Sequence, residues 1–269
     1  MKLSATSWSF PACTLSEISG ILKALGIGAV DLGFFYASDI DKEKLLADPL
    51  SLAAALKIQG IDFANLYYLF GSSLPERNLA SPEHRAENLA DFKKAMQFCK
   101  VLAIPTVMLL PGLINKGQGR KEALLQTAEN LNLLLPLAQE AGVTLTIEPH
   151  VHSYLESPGL VLELLERVPG LKLTLDYAHF VCLGYRQEEI DVLVPHAAHV
   201  HLRQARAGVL QAKLDEGSIN FPALLATLKD VGYSGYLALE YVHQSYMNTL
   251  YDDVLTETVR MRDLVRAFL

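Results

Sequence analysis

Residues 141–148 read Ala-Gly-Val-Thr-Leu-Thr-Ile-Glu: a glycine, a short apolar run, and a carboxylate at its end. Glycine just past a helix takes the left-handed C-cap conformation without strain, and an apolar run of this kind is a strand covered on both faces. The rhythm returns as LGIGAVDLG over 25–33, QGIDFAN over 59–65, PGLKLTLD over 169–176 and VGYSGYLALE over 231–240. Adding KLSATSW over 2–8, IPTVMLL over 104–110 and AAHVHL over 197–202 gives eight strands. The intervening segments carry helical period and predict helices near 15–25, 42–59, 82–103, 121–141, 158–168, 187–194, 221–231 and 249–268. Thr14 with Glu17 fits a capping box, and Ser81-Pro82 and Ser157-Pro158 each offer an N-cap followed by proline at the first helical position. Eightfold alternation with no linker predicts an α/β chain forming a single (β/α)8 TIM barrel over residues 1–269. An open doubly wound sheet is the weaker alternative, because no GxGxxG follows the first strand.

Composition narrows the function classes. The 269 residues are 51% hydrophobic, enough for a large core, and carry a formal net charge of −7. An acidic chain is a poor partner for nucleic acid, whose phosphates are bound by Lys/Arg-rich surfaces. MKLSATSWSF at the start is not suited to a signal peptide, and no stretch approaches membrane-spanning length. Cys13, Cys99 and Cys182 are scattered and show no CxxC spacing, so they are expected to remain reduced in a cytoplasmic protein.

The strand ends carry the chemistry. Glu148 closes the fifth strand, Asp176 the sixth, His201 the seventh and Glu240 the eighth. An unpaired carboxylate is costly to bury, so each belongs at a rim, and strand ends of a barrel converge on one mouth. One acidic residue at a strand end is commonly a helix N-cap, and one histidine on a strand is commonly a hydrogen-bonded core residue. Four donors on consecutive staves instead form a metal-type set, and its oxygen and imidazole ligands favour Mn²⁺, Mg²⁺ or Co²⁺ over a thiolate-bound metal. Three carboxylates gather a charge of about −3, which a bound cation relieves. His199 and His201 face the same side of their strand; either could be the ligand, with His201 nearer the mouth.

Glu148, the Asp176-Tyr-Ala-His179 stretch, His199-Val-His201-Leu and Gly235-Tyr-Leu-Ala-Leu-Glu240 together resemble the signature of xylose isomerase-like TIM-barrel sugar isomerases and epimerases, including the ketose 3-epimerase branch. Trp8-Ser-Phe10 and Val30-Asp-Leu-Gly33 fit the same pattern. The resemblance implies a divalent ion, usually Mn²⁺, on Glu148, Asp176, His201 and Glu240. It also implies that Glu148 and Glu240 face opposite sides of a small keto-sugar or polyol and move protons through a metal-stabilised enediolate. His179 and an arginine after the seventh strand match groups that hold substrate oxygens; Arg206 is the nearer fit, with Arg203 the alternative. Trp8 offers an apolar wall for a sugar face, although aromatics at strand ends often serve packing.

Three departures from the family pattern stand out. Gln204 occupies a position that is often acidic, Glu216-Gly-Ser-Ile-Asn220-Phe matches the following turn only loosely, and His150 adds an imidazole two residues past Glu148. His150 is a candidate general base, and with it the same enediolate could collapse by β-elimination, making the chain a lyase, dehydratase or deglycosidase for keto-sugars. The resemblance extends to apurinic endonucleases, but the second, third and fourth strand ends show Gly33, Asn65 and Gly112 where those enzymes need further histidines. A sugar-binding protein without turnover is the remaining alternative. The expected partner is a small sugar or polyol, together with further copies of the chain, since such barrels commonly self-associate; neither nucleic acid nor a membrane is expected.

Overall fold

The structure is a computed structural model that describes residues 1–34, 40–58, 60–243 and 253–269. Its strands are β1 (Lys2–Thr6), β2 (Ala29–Leu32), β3 (Asp62–Tyr67), β4 (Thr106–Leu109), β5 (Thr144–Ile147), β6 (Lys172–Asp176), β7 (Ala197–Leu202), β8 (Gln204–Arg206), β9 (Val209–Ala212) and β10 (Tyr236–Leu239). β1 to β7 and β10 close a parallel barrel in which β10 pairs with both β7 and β1, while β8 and β9 make an antiparallel hairpin. The chain is a single (β/α)8 TIM barrel, as its strand rhythm predicts.

The helices are α1 (Leu15–Ala24), α2 (Lys42–Ala47), α3 (Pro49–Lys57), α4 (Arg85–Leu102), α5 (Arg120–Ala141), α6 (Pro158–Arg167), α7 (Tyr177–Cys182), α8 (Gln187–Ile190), α9 (Phe221–Asp230) and α10 (Val254–Arg266). Thr14 and Glu17 form the reciprocal capping box, and the Ser157 side chain accepts from Leu160 N. Gly142 ends α5 at φ 74°, the left-handed cap inferred from its sequence. Ser81 departs from expectation. Its hydroxyl accepts from Glu83 N within a turn, and α4 begins only after His84. The helix expected over 42–59 is broken because Asp48 closes α2 and its side chain caps α3 through Ser51 N, with Pro49 at the new start. The segment 187–194 is one short helical turn continued by a 3-10 turn over Asp191–His196. Residues 249–252 of the last expected helix lie outside the described residues. Among the described residues, no helix is long and apolar enough to cross a membrane.

An alternation runs through the staves. Val30 and Leu32, Leu145 and Ile147, Leu173 and Leu175, Val200 and Leu202, and Leu237 and Leu239 all join the hydrophobic core. Their intervening neighbours Asp31, Thr146, Thr174 and His201, with His199 one pleat before it, are buried polar residues that bond to one another, to other buried side chains or to backbone, and Ala238 holds the same place on β10. With a side-chain period of two, the leucine set packs against the helices and the polar set fills the barrel. That parity carries forward to Glu148, Asp176, His201, Arg203 and Glu240.

Beyond β4, Gly112 sits at φ 92° beneath the 78–80 turn, where an added Cβ would lie 2.7 Å from Asn78 Oδ1 and 2.9 Å from Ala80 N. Asn78 Oδ1 itself accepts from Ala80 N, so the obstacle is a bonded turn. Gly112→Ala is expected to cost about 1–3 kcal/mol, read as a lower urea midpoint with an unchanged slope. An unshifted midpoint would show that the turn yields freely.

Candidate functional site

Backbone pairing sets the positions of the acids. Glu148 and Glu240 each stand one residue past a strand, yet Glu148 N still donates to Leu109 O at 3.0 Å and Glu240 N to Leu202 O at 3.1 Å. Asp176 is in register with His201 across β6 and β7, and His201 is in register with Ala238 of β10. Neighbouring staves thus deliver their end groups at one height.

His201 lies at the centre of the acids. Its Nδ1 is 2.8 Å from Glu148 Oε1 and 3.1 Å from Glu240 Oε2. Ligand atoms of Glu148, His201 and Glu240 all fall within 4.8 Å of one another. Asp176 stands beside this trio and does two things. Its Oδ1 accepts from Ala178 N and caps α7, while Oδ2 meets Arg203 Nη2 at 2.7 Å. The helix-cap role and the site role are therefore held by separate oxygens of one carboxylate.

Arg203 is the arginine that faces the acids. It is buried, and its Nη2 also reaches His179 Nε2 at 3.0 Å and Glu240 Oε2 at 3.8 Å. Arg206 is exposed on β8, away from that cluster. Strand parity would have singled out position 203, since it follows 199 and 201 on the inward face whereas 206 does not. Gln204, which replaces an expected acid, braces the loop beyond the hairpin: its amide donates to Leu214 O and Ile219 O and accepts from Ile219 N.

Trp8, in a 3-10 turn after β1, donates Nε1–H to Glu240 Oε1 at 2.8 Å and packs edge-on to His201 and Tyr67. His150 packs against His179 with ring centroids 4.1 Å apart, and both offer ring nitrogens within 4.8 Å of a Glu148 oxygen. His150 Nδ1–H donates to Val151 O, because a carbonyl can only accept. His179 Nδ1 accepts from Val151 N, leaving Nε2 toward Asp176 and Glu148.

These environments pull the carboxyls apart. Burial pushes Glu148 up to about 7, opposed by His201 and reinforced by Glu240 and Asp176. Burial acts on Glu240 too, but the Arg203 guanidinium and His201 overcome it and hold that carboxyl down to about 2. Asp176 is raised by burial despite Arg203. His201 is raised well above its usual value because Glu240 and Glu148 outweigh its burial. Burial keeps His150 at about 4 and His179 lower than usual, so both rings are neutral at neutral pH.

The donor set fits a hard divalent cation. Asp176 Oδ2 and Glu240 Oε2 are buried acceptors met by Arg203 at 2.7 Å and by His201 at 3.1 Å, and they accompany carboxylate and imidazole donors rather than thiolates. Sequence reasoning missed Asp31, a fully buried carboxylate on β2 whose Oδ2 lies 2.6 Å from His199 Nε2 and 3.5 Å from His201 Nε2.

Arg203→Met should cost about 3 kcal/mol at pH 7 in the presence of a chelator, because it strands buried carboxylates. In the wild type, the depressed Glu240 contributes stability above its unfolded pKa of ~4.3, and this is lost as pH falls toward 2. Without the guanidinium the acids titrate above their unfolded values, so the variant's deficit should narrow between pH 7 and 4. Urea midpoints across that range test it; a pH-independent deficit would assign the loss to packing.

Comparison with known proteins places this geometry in a family. A family model described as xylose isomerase-like TIM barrel matches residues 20–262. A Xenopus laevis protein provisionally named hydroxypyruvate isomerase is 27% identical over 263 residues, covering 91% of each chain. L-ribulose-5-phosphate 3-epimerase UlaE of Salmonella paratyphi C is 26% identical over 189 residues, 68% of this chain and 64% of that one. A crystal structure of IolI protein with a binding zinc atom superimposes with a TM-score of 0.75 at 18% identity, covering 100% of this chain and 99% of the other. The chain belongs to the xylose isomerase-like TIM-barrel family, whose members similar to it include sugar isomerases and epimerases.

Proposed function

We propose that this protein is a divalent-cation-dependent isomerase or epimerase that moves a proton on a small keto-sugar or polyol. The observation that carries this is the convergence of Glu148 and Glu240 on one atom, His201 Nδ1, at 2.8 and 3.1 Å. Glu148, Asp176, His201 and Glu240 are the residues that would hold the cation. Mn²⁺ is the ion we favour, with Mg²⁺ or Co²⁺ suited to the same donors. When bound, the cation would supply positive charge against the negative charge that grows on substrate oxygens.

The chain's own groups account for the proton. One glutamate takes the proton from the carbon beside the carbonyl, and the electron pair of that C–H bond passes into an enediolate. The other glutamate returns a proton, to the opposite face of the same carbon for epimerisation or to the adjacent carbon for isomerisation. The Trp8 N–H fixes one oxygen of Glu240, leaving the other directed toward His201 and Arg203. His179 and Arg203 supply N–H groups for substrate oxygens, and the Trp8 ring supplies an apolar face. Relatives named as isomerases and epimerases support this assignment.

A second reading rests on His150. Its neutral ring beside Glu148 and His179 is placed to act as a separate base, and with a leaving group at the β-carbon the same enediolate would eliminate. Product mass separates the two, because isomerisation conserves it and elimination releases water or an aglycone.

Glu240→Gln is expected to lower turnover of an accepted ketose by about 10²–10⁴-fold with the fold intact. In D₂O the wild type should place one deuterium on the reacting carbon, and removal of the cation by a chelator should abolish turnover until Mn²⁺ is restored. Undiminished turnover in the glutamine variant would refute the proton-transfer role.

A further inference from the structure

Beneath the acids, Asp31, His199 and His201 form a second buried group that shares His201 with them, with ligand atoms within 4.8 Å of one another. Asp31 is fully buried on β2, across the barrel from β7, which carries both histidines. Its two oxygens face different neighbours. Oδ1 accepts from the Ser4 hydroxyl at 2.8 Å, and Oδ2 takes His199 Nε2 at 2.6 Å. Oδ2 also lies 3.5 Å from His201 Nε2, a buried nitrogen with no closer hydrogen-bond partner among the described residues. The proton-transfer scheme uses only the opposite edge of that ring, at Nδ1.

We propose that Asp31 is a positioning residue that acts through His201: it fixes the imidazole so that Nε2 carries the proton and Nδ1 faces Glu148 and Glu240. This rests on the reading of His201 as a cation ligand. A carboxylate can only accept, and carboxylates face both ring edges: Asp31 at Nε2, and Glu148 and Glu240 at Nδ1. A cation held by the two glutamates would take the place of the proton at Nδ1, and the ring then keeps its proton at Nε2, against Asp31. The opposite nitrogen then presents its lone pair whenever the ring is neutral, as a ligand must. Outer carboxylates commonly fix the tautomer and orientation of a ligating imidazole in this way. Ser4 and His199 anchor the carboxylate from two further directions, so it cannot swing away from Nε2. The T-shaped packing of His199 on His201, at 5.3 Å, limits ring rotation from below.

The test compares the wild type with Asp31→Asn, a near-isosteric change that removes the anionic acceptor. Calorimetric titration with MnCl₂ should show affinity about 10–100-fold weaker in the variant. Nitrogen-15 NMR of histidine-labelled wild type, with Zn²⁺ as a diamagnetic probe or, without it, at a pH high enough to make the ring neutral, should show His201 protonated at Nε2. The variant should lose that preference. A purely structural polar floor would change stability without moving the His201 tautomer. The proposal is overturned by a wild-type ring unprotonated at Nε2, or by a folded Asp31→Asn variant whose Mn²⁺ affinity stays within twofold. If the wild type binds no Mn²⁺, the cation reading fails by itself, and the wild-type tautomer still decides the role of Asp31. The same spectrum decides it if the variant does not fold.

Discussion

Like charges held together out of water constrain everything around the mouth of this barrel. Glu148, Asp176 and Glu240 are all buried, and at an effective dielectric near 20 two unit charges about 4 Å apart repel by roughly 4 kcal/mol. Such an arrangement persists only where positive charge is interleaved with it. Arg203 and His201 supply that charge from one strand and its extension, at 2.7 Å from Asp176 and 2.8 Å from Glu148. A guanidinium stays protonated even when buried, which suits it to this task better than a second imidazole would be. The site is thus balanced from β7, and a cation entering it would compete with Arg203 for Asp176 and Glu240.

The backbone converts this electrostatic requirement into geometry. Parallel pairing holds Glu148 N to Leu109 O and Glu240 N to Leu202 O, so both glutamates remain tied to the sheet although they lie beyond their strands. Asp176 is held differently. One of its oxygens caps α7 and the other remains for the site, which gives the carboxylate a fixed rotamer at no cost in free donors. These attachments restrict where each acid can move, and preorganisation of this kind lets a site stabilise charge without rearranging during reaction.

Much of this is legible in the sequence. The glycine-strand-carboxylate rhythm yields the closed barrel, because apolar runs of strand length separated by helical segments have few other ways to bury both faces. The same rhythm singles out Glu148, Asp176 and Glu240, and the strand AAHVHL beside them brings His201. The arginine was harder. The resemblance offers Arg206 as the nearer fit and Arg203 as the alternative; tracking the inward parity of 199 and 201 beyond the strand favours Arg203, and the hairpin that carries Arg206 outward leaves little trace in composition. Asp31 was hidden for a related reason. It sits within a run that reads as apolar, and its partners Ser4 and His199 are 27 and 168 residues away in sequence. The Ser81-Pro82 signal misled because a side-chain cap needs only a turn, and here the turn stops short of the helix.

The division of the staves into two sets explains how the fold tolerates such a centre. Apolar side chains on the outward parity pack against the helices and form the large hydrophobic cluster. The inward parity is polar through much of its depth, with Thr146 bonded to Thr174 and Ser4 to Asp31. Burial of apolar surface is the main favourable term in folding, and in this chain it is concentrated between sheet and helices rather than along the barrel axis. The axis can therefore hold hydrogen-bonded and charged groups whose net contribution to stability is small. Each inward residue also has a fixed height, so a polar group one pleat below the mouth meets the underside of the group above it. That is the relation of Asp31 to His201: the floor of the barrel and the orientation of the imidazole become one structural question.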